Sequence, residues 1–268
     1  MKERKHKKPS ISLVVPVLNE EALLKTNLIS LRNSCRYSEN EVEIVVCDGG
    51  STDSSKSIAE EYADRVVEQE GRFNTIAEGR NSGAAAAKGD ILVFINADTY
   101  PRNPYQFNHE ISKFAETKDR FIAQGVFVHG DATIEENGFI GHFDRFFHFI
   151  TNWYFWLMSV LGFTMARGEC MIVKKNSFTA IGGFRGDLVA GEDVDFFRRL
   201  SKLGKVAVNK KIVVIESSRR FISEGYFKTM GRWFINDLSV RLRGKAYSKE
   251  WSRTEDTSIP NLANQNIK

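Results

Sequence analysis

The sequence predicts an α/β fold, with a mostly parallel central sheet flanked by helices and a C-terminal helical extension. Two observations point to it. Over the first hundred residues, short apolar runs alternate with segments whose apolar residues recur at helical spacing. The acidic and glycine-rich motifs stand where those apolar runs stop, which is where ligands sit in sheets of this kind.

In chain order, Ile11 to Pro16 is apolar and reads as a buried strand. Residues 20–34 carry Ala22, Leu23, Leu28 and Leu31 at helical spacing. Val42 to Cys47 is a second buried strand, and Ser51-Thr52-Asp53 signals the start of a helix over 54–63. Arg65 to Val67 reads as a short strand, 75–88 as an alanine-rich helix and Ile91 to Ile95 as a strand. Beyond residue 105 the alternation loosens. A helix near 105–117, a strand from Phe121 to His129 and an aromatic segment from Phe139 to Phe163 follow. Then come a strand at Cys170 to Val173, a helix over 192–203 and one or two strands between Val206 and Glu216. Residues 223–242 set Tyr226, Met230, Trp233, Phe234 and Leu238 on one helical face.

The bulk numbers exclude several classes. With 268 residues, 42% hydrophobic and 27% charged, the chain has the composition of a globular protein that needs no disulfides. Cys35, Cys47 and Cys170 match no zinc spacing and suggest a reducing, cytoplasmic setting. The basic stretch over residues 2–8 leads into Pro9 rather than an apolar core, so it does not read as a secretory signal. A net charge of +4 is too mild for a bulk nucleic-acid binder, although cations gather at residues 2–8 and in the C-terminal third.

Five motifs carry the chemistry. Phe94-Ile95-Asn96-Ala97-Asp98-Thr99 is an apolar strand that stops on a carboxylate. Such an acid suits Mg²⁺ or Mn²⁺, which take one or two protein carboxylates and complete their shell with phosphate and water. Asn96 lies two residues earlier, on the same side if the strand continues; the competing reading is a strand-terminal turn capped by Asp98. Asp48-Gly49-Gly50-Ser51-Thr52-Asp53 allows close backbone approach, with Asp48 facing a base edge and Asp53 serving as a helix-start acid. Pro16 and Glu20, with Asn19 between them, frame the turn after the first strand, where Glu20 could accept from ribose hydroxyls. Arg80, within Gly79-Arg80-Asn81-Ser82-Gly83, could reach a phosphate or lie on the surface. Glu192 and Asp193 open a helix after Gly191, and either could take a proton from a hydroxyl or serve as a first-turn acid.

Together, Pro16-x-x-Asn19-Glu20, Asp48 to Asp53, Asp98, Gly182-Gly183-Phe184 and Gly191-Glu192-Asp193 resemble, in order and approximate spacing, the family 2 glycosyltransferases over residues 10–220. The resemblance implies the Rossmann-like GT-A fold and inverting transfer of a sugar from a UDP- or GDP-linked donor. Pro16, Glu20 and Asp48 would line the nucleoside, Asn19 would belong to the same donor-binding turn, Arg80 would stand near the diphosphate, and Asp98 would hold the metal. Asp193 would be the base and Glu192 would position it or the acceptor. Asn96 stands where the family usually has Asp, and the Glu216 to Arg220 stretch has no histidine to serve as a third metal ligand, so Arg219 and Arg220 are candidate phosphate grips instead. A nucleotidyltransferase would want a basic glycine-rich loop after the first strand, and a dehydrogenase a G-x-G-x-x-G; the chain has neither there. Two alternatives stay open: a nucleotidyltransferase of related fold, and a non-catalytic nucleotide-sugar or membrane-binding relative, which Asn96 favours.

The expected organisation is a basic tail (1–9), a nucleotide-sugar half (10–135), an aromatic amphipathic segment (136–165), an acceptor half (166–222), an amphipathic helix (223–247) and a disordered polar tail (248–268). The aromatic segment is interrupted by His142, Asp144, Arg145, His148 and Asn152, and its clean apolar run is shorter than the roughly 20 residues a bilayer span needs. It suits a membrane interface, a lipid-linked acceptor, a dimer contact or a helix packed beneath the acceptor site. Association with the inner face of the membrane is therefore an expectation.

Overall fold

The computed structural model describes residues 8–117, 121–131 and 138–248; the expected tails lie mostly outside these residues. One eight-stranded sheet organises the chain, in the order β3-β2-β1-β4-β7-β6-β8-β5. Its strands are β1 (Ile11–Val17), β2 (Val42–Asp48), β3 (Arg65–Glu68), β4 (Ile91–Ile95), β5 (Thr99–Pro101), β6 (Phe121–Gly130), β7 (Cys170–Lys174) and β8 (Lys205–Glu216). The helices are α1 (Glu21–Cys35), α2 (Ser55–Tyr62), α3 (Ile76–Ala86), α4 (Pro104–Glu116), α5 (Phe139–Val160), α6 (Lys175–Ala180), α7 (Glu192–Leu200), α8 (Arg219–Glu224) and α9 (Tyr226–Arg243).

The first half follows the expected alternation, with β1, β2, β3 and β4 all parallel. Beyond β4 the sheet becomes mixed. β7 runs antiparallel to both β4 and β6, β8 is parallel to β6, and β5 is antiparallel to β8. The region read as one or two last strands is a single strand, irregular where Val126 pairs with Asn209 but Phe127 with Val213. Three short elements, β5, α6 and α8, carry too few residues to show a period, and the sequence did not predict them.

Alternating side chains of the strands feed two cores. Leu13, Val15, Ile44 and Val93 face α1, α2 and α4, while Val14, Val45, Leu92 and Phe94 face α3, α6 and α7. α3 lies close to the sheet because Gly83 leaves room: a Cβ there would stand 2.5 Å from Val14 Cγ1.

A strand-order reversal positions the site. β1 sits between β2 and β4, so the connections leave it in opposite directions and a crevice opens at its carboxyl end. β1 pairs with β4 only as far as Val14, whereas its pairing with β2 continues through Pro16 to Val17. Pro16 has no N–H to donate, so it falls just past the β4 ladder, where the strands part.

Candidate active site

The loop after β2 is latched to the turn after β1. Asn19, at φ 55°, accepts at Oδ1 from Thr52 N (2.8 Å), and its own N–H donates to Ser51 Oγ (3.0 Å). Glu20 N donates to Ser55 Oγ, and Glu21 N to Asp53 Oδ2. Asp53 also accepts from Ser55 N, which is the helix-start role its position suggested. The Asp48 carboxylate is buried and accepts from the N–H groups of Gly50 and Ser51. Beside it is a cleft of about 420 Å³, lined by Asp48, Gly50, Ser51, Gln69 and Asn74 among others. Its far wall is held by Glu78, which accepts from Arg72 N and Phe73 N.

The reading of Asn96 and Asp98 as neighbours on an extended strand is corrected. β4 ends at Ile95, and Thr99 N donates back to Asn96 O (3.1 Å), closing a turn. The buried Asn27 amide of α1 donates to Ala97 O and satisfies that turn from below. The two side chains therefore diverge. Asn96 Oδ1 accepts from Arg80 Nη2 (3.1 Å), whereas Asp98 Oδ2 lies 3.6 Å from Arg219 Nη2.

Arg80 is also not a surface arginine. It is 1% exposed, and its guanidinium bonds Glu192 Oε1 (2.7 Å), Gly168 O (2.9 Å) and Asn96. These acceptors occupy the groups that were expected to meet a diphosphate, so Arg80 instead ties the start of α7 to the end of β4.

Gly191, at φ 74°, turns the chain into α7. Asp193 follows, half-buried, with its carboxylate accepting from Val194 N and packed against Gly168, where a Cβ would stand 3.0 Å from Oδ2. Burial, and then the charge of Glu192, push its carboxyl up to about 8. Glu20 forms an ion pair with Arg219, yet burial and then the charge of Asp98 raise it to about 7. Arg219 and Arg220 open α8, and Ser217 N donates to Asp98 O, so both arginines follow directly on the strand end next to Asp98.

The antiparallel return of β7 adds groups that the sequence reading missed. Arg167 and Glu169 precede β7, and Asn96 N donates to Glu169 O, so both reach the end of β4. Glu216 closes β8, opposite Thr99. Buried Arg167 bonds Glu169, Glu216 and His148 Nδ1 (2.9 Å). Burial alone would raise Glu169, but the Arg167 charge holds it below the usual carboxylate range. Burial and the charge of Glu169 push Glu216 well up. A signal existed, since Arg167 and Glu169 are charges abutting an apolar run. Nothing local says that this run pairs with β4.

Among the described residues no group of three His, Cys, Asp or Glu side chains is arranged to hold a metal ion. The acids that do meet fit a hard cation held by one carboxylate, Asp98, and completed by phosphate oxygens and water. Burial is the main cause that raises Glu20 and Glu216, and the charge of Asp98 adds to it in both, so a cation at Asp98 would relieve part of the negative charge gathered there.

The glycosyl transferase family 2 model matches residues 12–176, more than half of the chain. The chain is 37% identical over 102 residues to the putative glycosyltransferase EpsH of Bacillus subtilis, covering 36% of this chain and 28% of that protein. It is 24% identical over 205 residues to glycosyltransferase AglE of Haloferax volcanii, covering 73% of this chain and 62% of that one. It thus spans less than two thirds of these relatives' length. Among solved structures it resembles the mannosyltransferase PcManGT of Pyrobaculum calidifontis, in complex with GDP-Man and Mn²⁺, at TM-score 0.59 and 17% identity, covering 78% of this chain and 57% of that one. It also resembles glucosyl-3-phosphoglycerate synthase of Mycobacterium tuberculosis, in complex with Mn²⁺, UDP and glucosyl-3-phosphoglycerate, at TM-score 0.56 and 19% identity, covering 87% of this chain and 79% of that one. These neighbours have the GT-A fold, and the sheet described above is of that kind.

Proposed function

The chain belongs to glycosyl transferase family 2, and from that membership we propose that it moves a sugar, with inversion, from a nucleotide-diphosphate donor to a hydroxyl or lipid-phosphate acceptor. The observation that carries the reading is that Arg80 joins Glu192, beside Asp193, to Asn96, two residues before Asp98. In this reading that tie brings a candidate base and the backbone of a candidate diphosphate site to one crevice.

In this reading the nucleoside lies in the cleft beside Asp48, with Glu20 near the ribose. Asp98 would hold Mg²⁺ or Mn²⁺ against the diphosphate, and the cation would neutralise the charge that builds on the leaving oxygens. Fold neighbours that carry Mn²⁺ with GDP-Man or with UDP support this donor class. Arg219, now bonded to Glu20, is a cation that phosphate oxygens would recruit. The acceptor oxygen attacks the anomeric carbon from the face opposite the diphosphate, and the bond from that carbon to the diphosphate oxygen breaks. Asp193 takes the acceptor proton, and a carboxyl held near 8 is basic enough to do so. Arg80 keeps Glu192 in place beside it.

The test is release of free nucleoside diphosphate from a panel of UDP- and GDP-sugars with Mn²⁺. The expected result is turnover of one donor class, lost in Asp98→Ala together with Mn²⁺-dependent nucleotide binding by calorimetry. Nucleotide affinity in Asp98→Ala that still responds to Mn²⁺ as in the unmodified chain would remove Asp98 from the metal site.

A further inference from the structure

We propose that α5 and α9 together form a docking face for an anionic lipid bilayer. A helix on a water-facing protein normally buries its apolar side and exposes its polar side. α5 does the reverse. Its inward side carries Asp144, His148, Thr151 and Asn152 beside the ring of Phe147, all buried. Ser218 Oγ (3.0 Å) and Tyr226 Oη (2.7 Å) donate to Asp144, Arg167 donates to His148, and Asn152 bonds both the N–H and the carbonyl of Val128. Its outward side carries Phe146, Phe149, Ile150, Trp153, Tyr154 and Leu157, all exposed.

α9 repeats the inversion. Thr229 and Asn236 are buried at 1% exposure beside Val240, while Phe227 and Leu242 are 75% exposed and Phe234 65%. Phe227, Phe234, Leu238 and Leu242 fall on one stripe at helical spacing. The two helices meet where the Phe143 ring packs against Tyr226 (5.1 Å) and Phe227 (5.9 Å), so the two apolar faces adjoin. An exposed apolar surface of this extent marks an interaction site.

The chemistry of the border selects the occupant. The only acid of α5, Asp144, points inward. From Tyr226 to Lys245 the cations are Lys228, Arg232, Arg241, Arg243 and Lys245, and the single acid, Asp237, is paired with Arg241. Lys228, Arg243 and Lys245 are exposed. Aromatic rings for the acyl boundary and cations for phosphate headgroups are what an anionic interface takes up. A second copy of the chain fits less well, because a two-fold contact would set this cation-rich stripe against itself. No described helix is long and apolar enough to cross a membrane, so the contact lies in the interface plane.

The face adjoins the proposed base without including it. A Cβ on Gly191, which opens α7, would stand 3.1 Å from Val240 of α9. None of Phe149, Phe234, Leu242, Lys228, Arg243 or Lys245 belongs to the proposed site, so binding to vesicles and nucleotide binding can be read separately.

The experiment is flotation of the full chain with phosphatidylglycerol-containing vesicles and with pure phosphatidylcholine vesicles. The expected result is recovery with the anionic vesicles, reduced about tenfold on phosphatidylcholine or at about 0.5 M salt. Phe149→Ser, Phe234→Ser and Leu242→Ser combined should lose at least about tenfold while unfolding at the same temperature, because all three side chains are exposed. Lys228→Glu with Arg243→Glu and Lys245→Glu should lose anionic preference while keeping the apolar face. The proposal is overturned if the folded chain stays unbound with anionic vesicles, or if the apolar triple variant floats like the unmodified chain. It is equally overturned if light scattering shows a dimer that the apolar triple variant dissolves, which would assign the face to a second copy.

Discussion

Asp193 is a carboxyl whose surroundings oppose its charge. Burial, then Glu192, hold it at about 8, so near neutrality the folded chain keeps its proton and the base form fills as pH rises. Asp193→Asn should lower transfer by about 10³-fold while leaving nucleotide affinity unchanged, read by product release and calorimetry. In the unmodified chain kcat/KM should climb about tenfold per pH unit and level off above pH 8. The stability sign follows from the same shift. The carboxyl titrates at its ordinary 3.8 when unfolded and at about 8 when folded, so between these values the folded state holds the extra proton. Its contribution to stability is complete below the lower value and is lost as pH rises through the upper one. The asparagine variant should therefore flatten the dependence of the urea midpoint on pH across that window. Arg80 poses the complementary case. Arg80→Ala strands the buried Glu192 carboxylate and should cost about 3–5 kcal/mol in urea unfolding. Arg80→Lys should recover little, because one ammonium cannot replace a fork that spans Glu192, Asn96 and Gly168.

Among the elements, the site depends on strands that part and on helices that face the opposite way from ordinary ones. β1 leaves β4 after Val14, and the residues that follow each strand, Glu20 and Asp98, look across the opening. α5 is anchored by a side chain that behaves like a strand edge: Asn152 accepts from Val128 N (2.9 Å) and donates to Val128 O (2.8 Å). Asn152→Leu keeps the volume but leaves both backbone groups of Val128 without these partners. It should lower stability by about 2–4 kcal/mol by denaturant titration. Phe149→Leu, on the exposed side of the same helix, should stay within about 0.5 kcal/mol. The contrast follows from the inversion of the helix and would fail for an ordinary amphipathic one.

The whole molecule is a single sheet in which a parallel half, β1 to β4, meets a mixed half, β5 to β8, with the crevice at their shared end. A donor bound there, as proposed, would touch loops from both halves. Saturation at about a hundredfold its Kd should raise the midpoint by roughly 5–10 °C, measured by thermal shift, and less when Mn²⁺ is withheld. Much of this architecture was legible beforehand. Apolar runs and helical spacing set the phase of each long element, since burial on one face repeats every second residue in a strand and every three to four in a helix. The order of the acidic motifs placed Glu20, Asp48 and Asp98 at strand ends, because parallel strands bring their carboxyl ends to one edge. Neighbourhood across the sheet was not legible. β7 returns antiparallel beside β4 and carries Arg167 and Glu169 to the crevice, and β8 delivers Glu216 opposite Thr99. Arg80 turns inward to Glu192, 112 residues away. Local pattern records which face of a segment is buried, whereas the choice of partner strand is a long-range balance of packing and buried charge that only the folded chain resolves.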